Sequence, residues 1–378
     1  FFFFFFFFFF FNIVGDLDLG LLTSAASITV PTEVTALKMG AVNAGSIRTA
    51  GTEAGNLSLP KATVVDGGKS KVVSVVANKA TSIDITAAAT CTVQGDVADT
   101  IDIEGTAVTG LFSISGNTSG TTVVKAVGIK TAVNTITTGD LAELHLTALT
   151  SAGTITSGAK VVDLKKLASV TPKDATIGLN KVSDTLDLSA LSVTGSVSAN
   201  AAASIIVKNH IPSEDTGSPM RITGTAATSL EIKELSTKAS VSFTAGATMF
   251  PALKTLTVKG KGSTSSPFIS TITNQVSVTS DKLVTVNIDG TVNEVYLDDM
   301  ALLKTVSTAA GSFIRNFTLF QADVITALDL NHDHIEGSDA ALLHIHDAAK
   351  LTTIAPTALD EVGTVSLTSL PKLTSFDL

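Results

Sequence analysis

The stretch SDTLDLSALSVTGSVSA, residues 183–199, contains two short apolar motifs separated by small polar residues. Leu186 and Leu188 form the first motif, and Val197 is the centre of the second. Nearly the same order of residues recurs in three further stretches: 15–32, 141–159 and 228–247. A sequence pattern of this length that recurs along a chain is the signature of a repeat architecture.

The first motif, an apolar-x-apolar pair, recurs from one end of the chain to the other. Several neighbouring pairs lie about 18 to 26 residues apart, which is the interval expected of a solenoid. Each pair is typical of a β-strand with one buried face, because its side chains alternate with a period of two. The pairs begin at Leu17, Leu37, Leu57, Ile83, Ile101, Leu144, Leu186, Ile205, Leu230, Leu256, Val286, Leu328 and Val365.

The second motif follows the first at a nearly constant distance. It lies eleven residues after Leu186, at Val197, and ten residues after Ile83, at Val93. Small Gly, Ala, Ser and Asn residues between the motifs allow the chain to turn, so one repeat contains two short strands. An offset of ten or eleven joins four more pairs: Leu17 with Ile28, Leu37 with Ile47, Leu144 with Ile155, and Leu230 with Val241.

Neither strand can bury its apolar side alone, so the repeats must pack on one another. Stacking places like strands side by side, about 4.8 Å apart, and joins their apolar sides into one core. We therefore predict an all-β, repetitive parallel β-solenoid with about 20 residues per coil and roughly 15 or more coils. The alternative is a series of tandem β-sandwich domains, which also have strands at intervals of about 8 to 12 residues.

A longer pattern, apolar-x-x-apolar-x-apolar, begins at Val34, Leu141, Leu253 and Val362. It resembles leucine-rich repeats, particularly the irregular repeats of bacterial and microbial-eukaryote cell-surface proteins. That family carries an asparagine ladder, whereas Leu149, Leu191 and Leu235 occupy the places where those asparagines would lie. The departure favours an all-β coil that is leucine-rich-repeat-like over a horseshoe backed by helices.

The regularity of the pattern divides the chain into three parts. Residues 1–11 are all Phe, too few to span a bilayer and without the basic flank of a signal peptide, so we interpret them as a placeholder or artefact. Residues 12–207 are predicted to form regular solenoid repeats. Residues 208–378 are predicted to form less regular repeats with loop insertions at 208–224 and 259–282.

Composition argues against several functional classes. The chain has no Trp, one Tyr, one Cys and a formal net charge of −9. Arg, Tyr and Trp carry most recognition of phosphates and bases, and the chain has only three Arg. Because its net charge also repels phosphates, we expect no nucleic acid partner. No long apolar run follows the Phe tract, so no membrane span is expected. Cys91 has no partner for a disulfide within the chain, and we predict that it is a buried apolar residue.

Four of the six histidines fall in a short segment near the C-terminus. If their strands stack on adjacent coils, His332, His334, His344 and His346 could converge on a metal ion such as Zn²⁺. The alternation with Ile345 instead favours solvent-facing side chains, and we predict no metal and no cofactor. The chain also lacks the P-loop, nucleophile-elbow and zinc-protease motifs, so we predict no catalytic residue and no enzyme activity.

Function is inferred here by elimination. We predict a structural protein that self-assembles by repeat stacking, as a subunit of an extracellular or cell-surface filament, fibre, S-layer-like coat or virion appendage. Its partners would be copies of itself or other subunits of the assembly, with glycans as a further class. The alternatives are a cell-surface adhesin or ligand-binding repeat protein, and a polysaccharide-active β-helix enzyme. A strip of outward aromatic residues on successive coils would favour the adhesin, and none is evident in the sequence.

Overall fold

The computed structural model describes residues 15–40, 43–96, 98–104, 111–115, 120–127, 129, 135–171, 175–191, 196–208, 221–235, 240–245, 250–260, 274–309, 312–328, 330, 342–354 and 364–376. In these ranges every regular element is a β-strand and none is a helix. The protein is an all-β parallel β-solenoid with about 20 residues per coil, as the sequence predicts. The parallel pairing of the described strands overturns the tandem β-sandwich alternative, whose strands would be antiparallel.

The described residues group into two compact units. The first extends to Leu149 and includes Ser157–Ala159, and the second contains Thr150–Thr156 and the residues from Lys160 onward. The strands of the first unit are β1 (Asp16–Asp18), β2 (Ser24–Val30), β3 (Ala36–Lys38), β4 (Asn43–Thr49), β5 (Asn56–Ser58), β6 (Val64–Val76), β7 (Ser82–Gln94), β8 (Thr100–Glu104), β9 (Leu111–Ser115), β10 (Val123–Val127) and β11 (Thr135–His145).

The second unit contains most of the remaining strands, and β13 contributes residues to both units. In chain order they are β12 (Ser151–Ala152), β13 (Thr154–Asp163), β14 (Ser169–Val170), β15 (Thr176–Gly178), β16 (Thr185–Leu188), β17 (Ser196–Ser198), β18 (Ser204–Val207), β19 (Arg221–Thr223), β20 (Ser229–Leu235), β21 (Ser240–Ala245), β22 (Thr255–Gly260), β23 (Gln275–Ser280), β24 (Thr285–Asp289), β25 (Thr291–Asp298), β26 (Thr305–Thr308), β27 (Phe313–Phe320), β28 (Ala327–Leu328), β29 (Leu342–His346), β30 (Thr353–Ile354), β31 (Thr364–Thr368) and β32 (Ser375–Phe376).

The first motif forms one sheet of the second unit, in the strand order β16-β18-β20-β22-β24-β26. Position 205 pairs with 230, 230 with 256, and 256 with 286, so several coils are longer than the average. Longer coils explain why the chain makes about 13 coils and not the 15 or more predicted. The strands align a column of buried apolar side chains: Leu186, Ile205, Leu230, Leu256, Val286 and Val306.

The second motif forms other sheets of the same unit. Strands β13, β15, β17 and β19 align Ile155, Ile177, Val197 and Ile222, all buried. Strands β21, β23, β25, β27, β29 and β31 continue the motif in a six-stranded sheet, in which Val241 pairs with Val276. The prediction that each coil carries two inward strand motifs is confirmed for these residues, while the side chain of Val241 lies outside the described part.

The first unit has the same arrangement. Strand pairing shows that two residues, Leu57 in this unit and Val365 in the second, were assigned to the wrong motif. Leu57 pairs with Val75, and Val75 pairs with Val93, so Leu57 belongs to the second motif and not the first. Val365 likewise belongs to the second motif, because it pairs with Leu343. An alternating segment shows which side chains face inward, but not which side of the coil the strand occupies. The first column of this unit consists of Leu17, Leu37, Val65, Ile83, Ile101, Val124 and Leu144.

A β-turn with apolar first and fourth residues joins one strand to the next. In the turn 77–80, Ala80 N–H donates to Ala77 C=O at 3.0 Å, and both residues are buried. The two central residues face solvent or lie at the surface, which suits Pro, Asn and Lys. The same hydrogen bond closes the turns 59–62, 146–149, 164–167, 179–182, 188–191, 250–253, 300–303, 348–351 and 370–373.

Threonine hydroxyls connect successive coils beside these turns. Thr63 Oγ1 donates to Thr35 C=O at 3.1 Å, and Thr81 Oγ1 donates to Thr63 C=O at 3.2 Å. In the second unit Thr374 Oγ1 donates to Thr352 C=O at 3.1 Å. A hydroxyl here satisfies a carbonyl of the coil before it, which explains part of the high threonine content.

Three further predictions concern the irregular positions. Leu149, Leu191 and Leu235 are buried, so apolar side chains stand where an asparagine ladder was expected, and a leucine-rich-repeat identity is not confirmed. Both predicted loop insertions include strand residues, because β19 pairs with β17 and β23 pairs with β25. Their mixed polar sequences concealed the alternation. The Phe tract 1–11 lies outside the described residues.

Candidate functional site

The outer face of the six-stranded sheet β21-β23-β25-β27-β29-β31 carries a group of aromatic and imidazole rings. Tyr296 on β25, Phe320 on β27, and His344 and His346 on β29 alternate with buried residues along their strands and remain partly exposed. Thr318 lies in register with both Tyr296 and His344, and Phe320 with His346. These four rings, the aromatic–histidine row, cover three adjacent strands, a distance of roughly 10 Å at the usual strand spacing.

Phe320 is the centre of the row. Its ring centroid lies 5.6 Å from that of Tyr296, 5.0 Å from that of His344 and 5.7 Å from that of His346. The planes are inclined by 60°, 73° and 59°, so the rings meet largely edge to face. Centroid distances of about 4.5 to 7 Å in this orientation are favourable, and the four rings support one another in fixed positions.

Carboxylates border the row on one side. His346 Nδ1 lies 2.9 Å from Asp347 Oδ2, within hydrogen-bonding distance, which orients the imidazole ring. Asp298 Oδ1 accepts a hydrogen bond from Asp299 N–H at 2.9 Å. Partial burial and, next, the charge of Asp298 raise the pKa of the Tyr296 hydroxyl, so the phenol keeps its proton at neutral pH. The row therefore presents a hydroxyl donor and carboxylate acceptors around apolar rings.

The corner next to the row holds backbone in an uncommon conformation. Four non-glycine residues there have a positive φ, and each follows a strand of this sheet: Asp299 (55°), Gln321 (52°), Asp347 (57°) and Ser369 (56°). This left-handed region costs most L-residues about 1 kcal/mol or more, and such residues concentrate at functional sites. We call these four residues the left-handed corner.

Hydroxyl side chains surround the row on the neighbouring strands. Ser277 on β23 is in register with Tyr296, and Thr279 with Asp298. On the other side, Ser366 and Thr368 on β31 are in register with His344 and His346. The face as a whole combines apolar rings at its centre with small hydrogen-bonding groups at its edges.

The predicted histidine cluster is only partly placed. His344 and His346 share the outer face of β29, with centroids 6.3 Å apart, and Ile345 between them is buried as expected. His332 and His334 lie outside the described residues. Within the ranges that the structure describes, no group of three or more His, Cys, Asp or Glu side chains could hold a metal ion. Because His332 and His334 are not described, the structure does not test the four-histidine metal site, and the expectation that the chain binds no metal stays a prediction.

Cys91 is fully buried on β7, as predicted. Burial raises the pKa of its thiol to about 12, so the reactive thiolate is suppressed. The side chain therefore acts as a small core residue.

A second exposed surface lies on the outer edge of the coil that contains β31 and β32. Val365 is 36% exposed and Leu367 is partly exposed, whereas their in-register neighbours Leu343 and Ile345 are fully buried. Among the described strands, β31 pairs with β29 on one edge only, and Phe376 on β32 is also partly exposed. We call this surface the open edge.

Comparisons with protein-family models, with curated proteins and with solved structures found no match. None of the described segments is a helix long and apolar enough to cross a membrane. What the chain does must therefore be argued from its exposed surfaces.

The aromatic–histidine row is the feature that sequence reasoning missed. Its members lie at positions 296, 320, 344 and 346, too far apart to form a motif. The available signal was that each ring stands at an outward-facing position of an alternating segment, where polar residues are usual, as Tyr296 does in Glu294-Val-Tyr-Leu-Asp298. Only the register of β25, β27 and β29 brings these positions together.

Proposed function

We propose that this protein is a ligand-binding repeat protein of the adhesin type, which recognises a glycan through the aromatic–histidine row. The observation that carries the proposal is the row itself, a strip of outward aromatic rings on successive coils. Exposed aromatic rings pack against the C–H faces of sugars, while nearby hydroxyl and carboxylate groups bind sugar hydroxyls. For this reason we propose the adhesin function ahead of the structural one. An extracellular or surface-exposed location is part of the proposal.

The size of the row favours a glycan over a protein partner. The rings extend over roughly 10 Å, given the spacing of three strands. A stable protein interface buries about 800 Å² on each partner around a larger apolar centre. Ser, Thr and Asp side chains flank the rings on every described side, which suits a ligand rich in hydroxyl groups.

Tyrosine fluorescence offers a direct test of binding, because Tyr296 is the only Tyr in a chain without Trp. Titration with a panel of polysaccharides should change the emission of Tyr296 when the right glycan binds. Phe320→Ala should weaken that binding about tenfold or more, since it removes the central ring. Thr305→Ala, at an exposed position of β26 in the other six-stranded sheet, is the control and should leave the affinity within about twofold.

An emission that no glycan changes, with the fold intact by circular dichroism, would contradict the proposal. Equal losses in Phe320→Ala and Thr305→Ala would contradict the assignment of the row, because both changes would then act through the fold as a whole.

The open edge favours a second candidate function, a structural subunit of an extracellular or surface assembly. We propose that a second copy covers this edge with β2, which carries the second motif, as β31 does, and pairs only with β4 among the described strands. The two edges are parallel strands of the same alternating pattern, so stacking would continue the sheet and bury Val365 and Leu367.

Light scattering on purified protein tests this assembly. Self-stacking should give species larger than the 38.7 kDa chain, with a proportion that rises with concentration. Leu367→Lys should prevent them, because a charge would be buried at the interface. Thr364→Lys, on the same strand at an exposed position, is the control. A monomer at every concentration would rule out the second candidate and leave the first unaffected.

A further inference from the structure

We infer that the aromatic–histidine row takes an uncharged glycan, and that Asp298 and Asp347 determine this specificity by excluding glycans built from uronic acids. The inference rests on the proposed function and adds the charge of the ligand and the residues that select it. It starts from the distribution of charge around the rings.

The carboxylates lie on the side of the row where Phe320 and His346 end their strands. Asp298 is close enough to Tyr296 to raise the pKa of its hydroxyl. Asp347 Oδ2 lies 2.9 Å from His346 Nδ1. Asp299 belongs to the left-handed corner beside them and is exposed. A ligand that stacks on Phe320 therefore meets negative charge.

The strands that carry the row and β31 beside them hold little positive charge. On β25, β27, β29 and β31, which are described in full, the one Lys or Arg is Arg315. It lies near the start of β27, five positions before Phe320, and so at the other end of that strand. A uronate carboxylate on the row would face Asp298 and Asp347, and like charges oppose binding. Lys350 lies beyond the end of β29, in the turn 348–351.

The same carboxylates suit an uncharged sugar. Ionised Asp oxygens accept hydrogen bonds only, and sugar hydroxyls can donate them. Hydrogen bonds to charged groups are stronger than those between neutral groups. The contact of Asp347 with His346 restrains the position of this carboxylate.

The test uses pairs of glycans that differ only at C6, where a carboxylate replaces the hydroxymethyl group. Neutral oligosaccharides are compared with the same oligosaccharides oxidised at C6 to uronates, by tyrosine fluorescence and calorimetry at low and at physiological salt. We expect the oxidised form to bind about tenfold more weakly, the scale of one unfavourable charge pair near a surface. The penalty should shrink as salt is added.

Two variants separate the roles of charge and ring. Asp298→Asn combined with Asp347→Asn keeps the shape, and Asn tolerates the left-handed conformation at 347. This double variant should bind both members of a pair with affinities within about threefold. Phe320→Ala should weaken the binding of both glycans of a pair by the same factor.

Each failure has a distinct meaning. An oxidised glycan that binds the unmodified protein as tightly as its neutral partner would overturn the inference and leave the proposed function intact. A preference that survives in the double variant would remove Asp298 and Asp347 as its cause. Absence of binding to every pair would overturn the proposed function and the inference together.

Discussion

Asp84 is the residue whose charge most clearly opposes folding. It lies between Asp66 and Asp102 in register on β6, β7 and β8. Burial first, and then the charges of Asp66, Asp102 and Glu104, raise the pKa of its carboxyl, while Lys69 opposes the change. Because the pKa is raised in the folded state, the stabilisation by protonated Asp84 is complete below the unfolded pKa and is lost as the pH rises through the folded pKa.

Asp84→Asn should therefore stabilise the protein at neutral pH, by no more than about 1 kcal/mol because the side chain is only partly buried and solvent screens its charge. The gain should disappear below about pH 4, where the unfolded carboxyl is also protonated. Urea unfolding at pH 3 and pH 7 measures the difference. Asp187→Asn is the control, since its in-register neighbour on β18 is Ile206. Equal stability of Asp84→Asn and the parent protein at both pH values would show that the repulsion among Asp66, Asp84 and Asp102 does not oppose folding.

Gln321 shows the cost of the left-handed corner at the level of one residue. Its φ of 52° is unfavourable for a long side chain, and its side chain is exposed. Gln321→Gly should raise the free energy of unfolding by about 0.5 to 1 kcal/mol, since the relieved strain exceeds the entropy that Gly adds to the unfolded chain. Lys350→Gly, at an exposed position of the turn 348–351 without positive φ, should lower it. A loss of stability in Gln321→Gly would show that the corner is not strained.

At the scale of the element, the β-turns differ in how well their central residues fit. Proline occupies the second position in the turns 59–62 and 370–373, where the fixed φ matches the turn. The turn 77–80 has Asn78 there, and Asn78 Oδ1 is buried without a hydrogen-bond partner. Asn78→Pro should add about 1 kcal/mol to stability, because it restricts the unfolded chain and removes the unsatisfied oxygen.

Lys79→Pro is the control for that substitution, because proline is disfavoured at the third position of such a turn. Thermal unfolding should show a higher midpoint for Asn78→Pro and a lower one for Lys79→Pro. Similar midpoints for both variants would mean that the turn 77–80 does not share the geometry of the turn 59–62.

The elements also show where sequence reasoning succeeds and where it stops. The inward positions of Leu186 and Val197 follow from the alternation of side chains, which depends on strand geometry alone. The assignment of Leu57 failed because both sides of a coil use the same alternation. The row that contains Phe320 required the register between distant strands. The sequence does not show that register, because the spacing between strands in this sheet is unequal, 22 residues from Tyr296 to Thr318 and 26 from Thr318 to His344.

At the scale of the molecule, stability depends on the continuity of the buried columns. Leu186 is fully buried on β16 and stacks on Ile205. Leu186→Asp should cost about 4 kcal/mol or more, because an unpaired charge would enter the core. Thr185→Ser, on the outer face of the same strand, should change stability by about 0.5 kcal/mol or less. Urea unfolding compares the two, and a small effect of Leu186→Asp would contradict the burial of this column.

The register of the parallel sheets has a consequence for how the protein opens. Each strand bonds mainly to the coil before and the coil after it, so a break at one interface need not spread to the rest. Amide hydrogens of β22 and β24, which have partners on both edges, should exchange with solvent through larger and rarer openings than those of β32, which pairs only with β30 among the described strands. A gradient of exchange rates along the coils, and not one shared rate, is the expected behaviour.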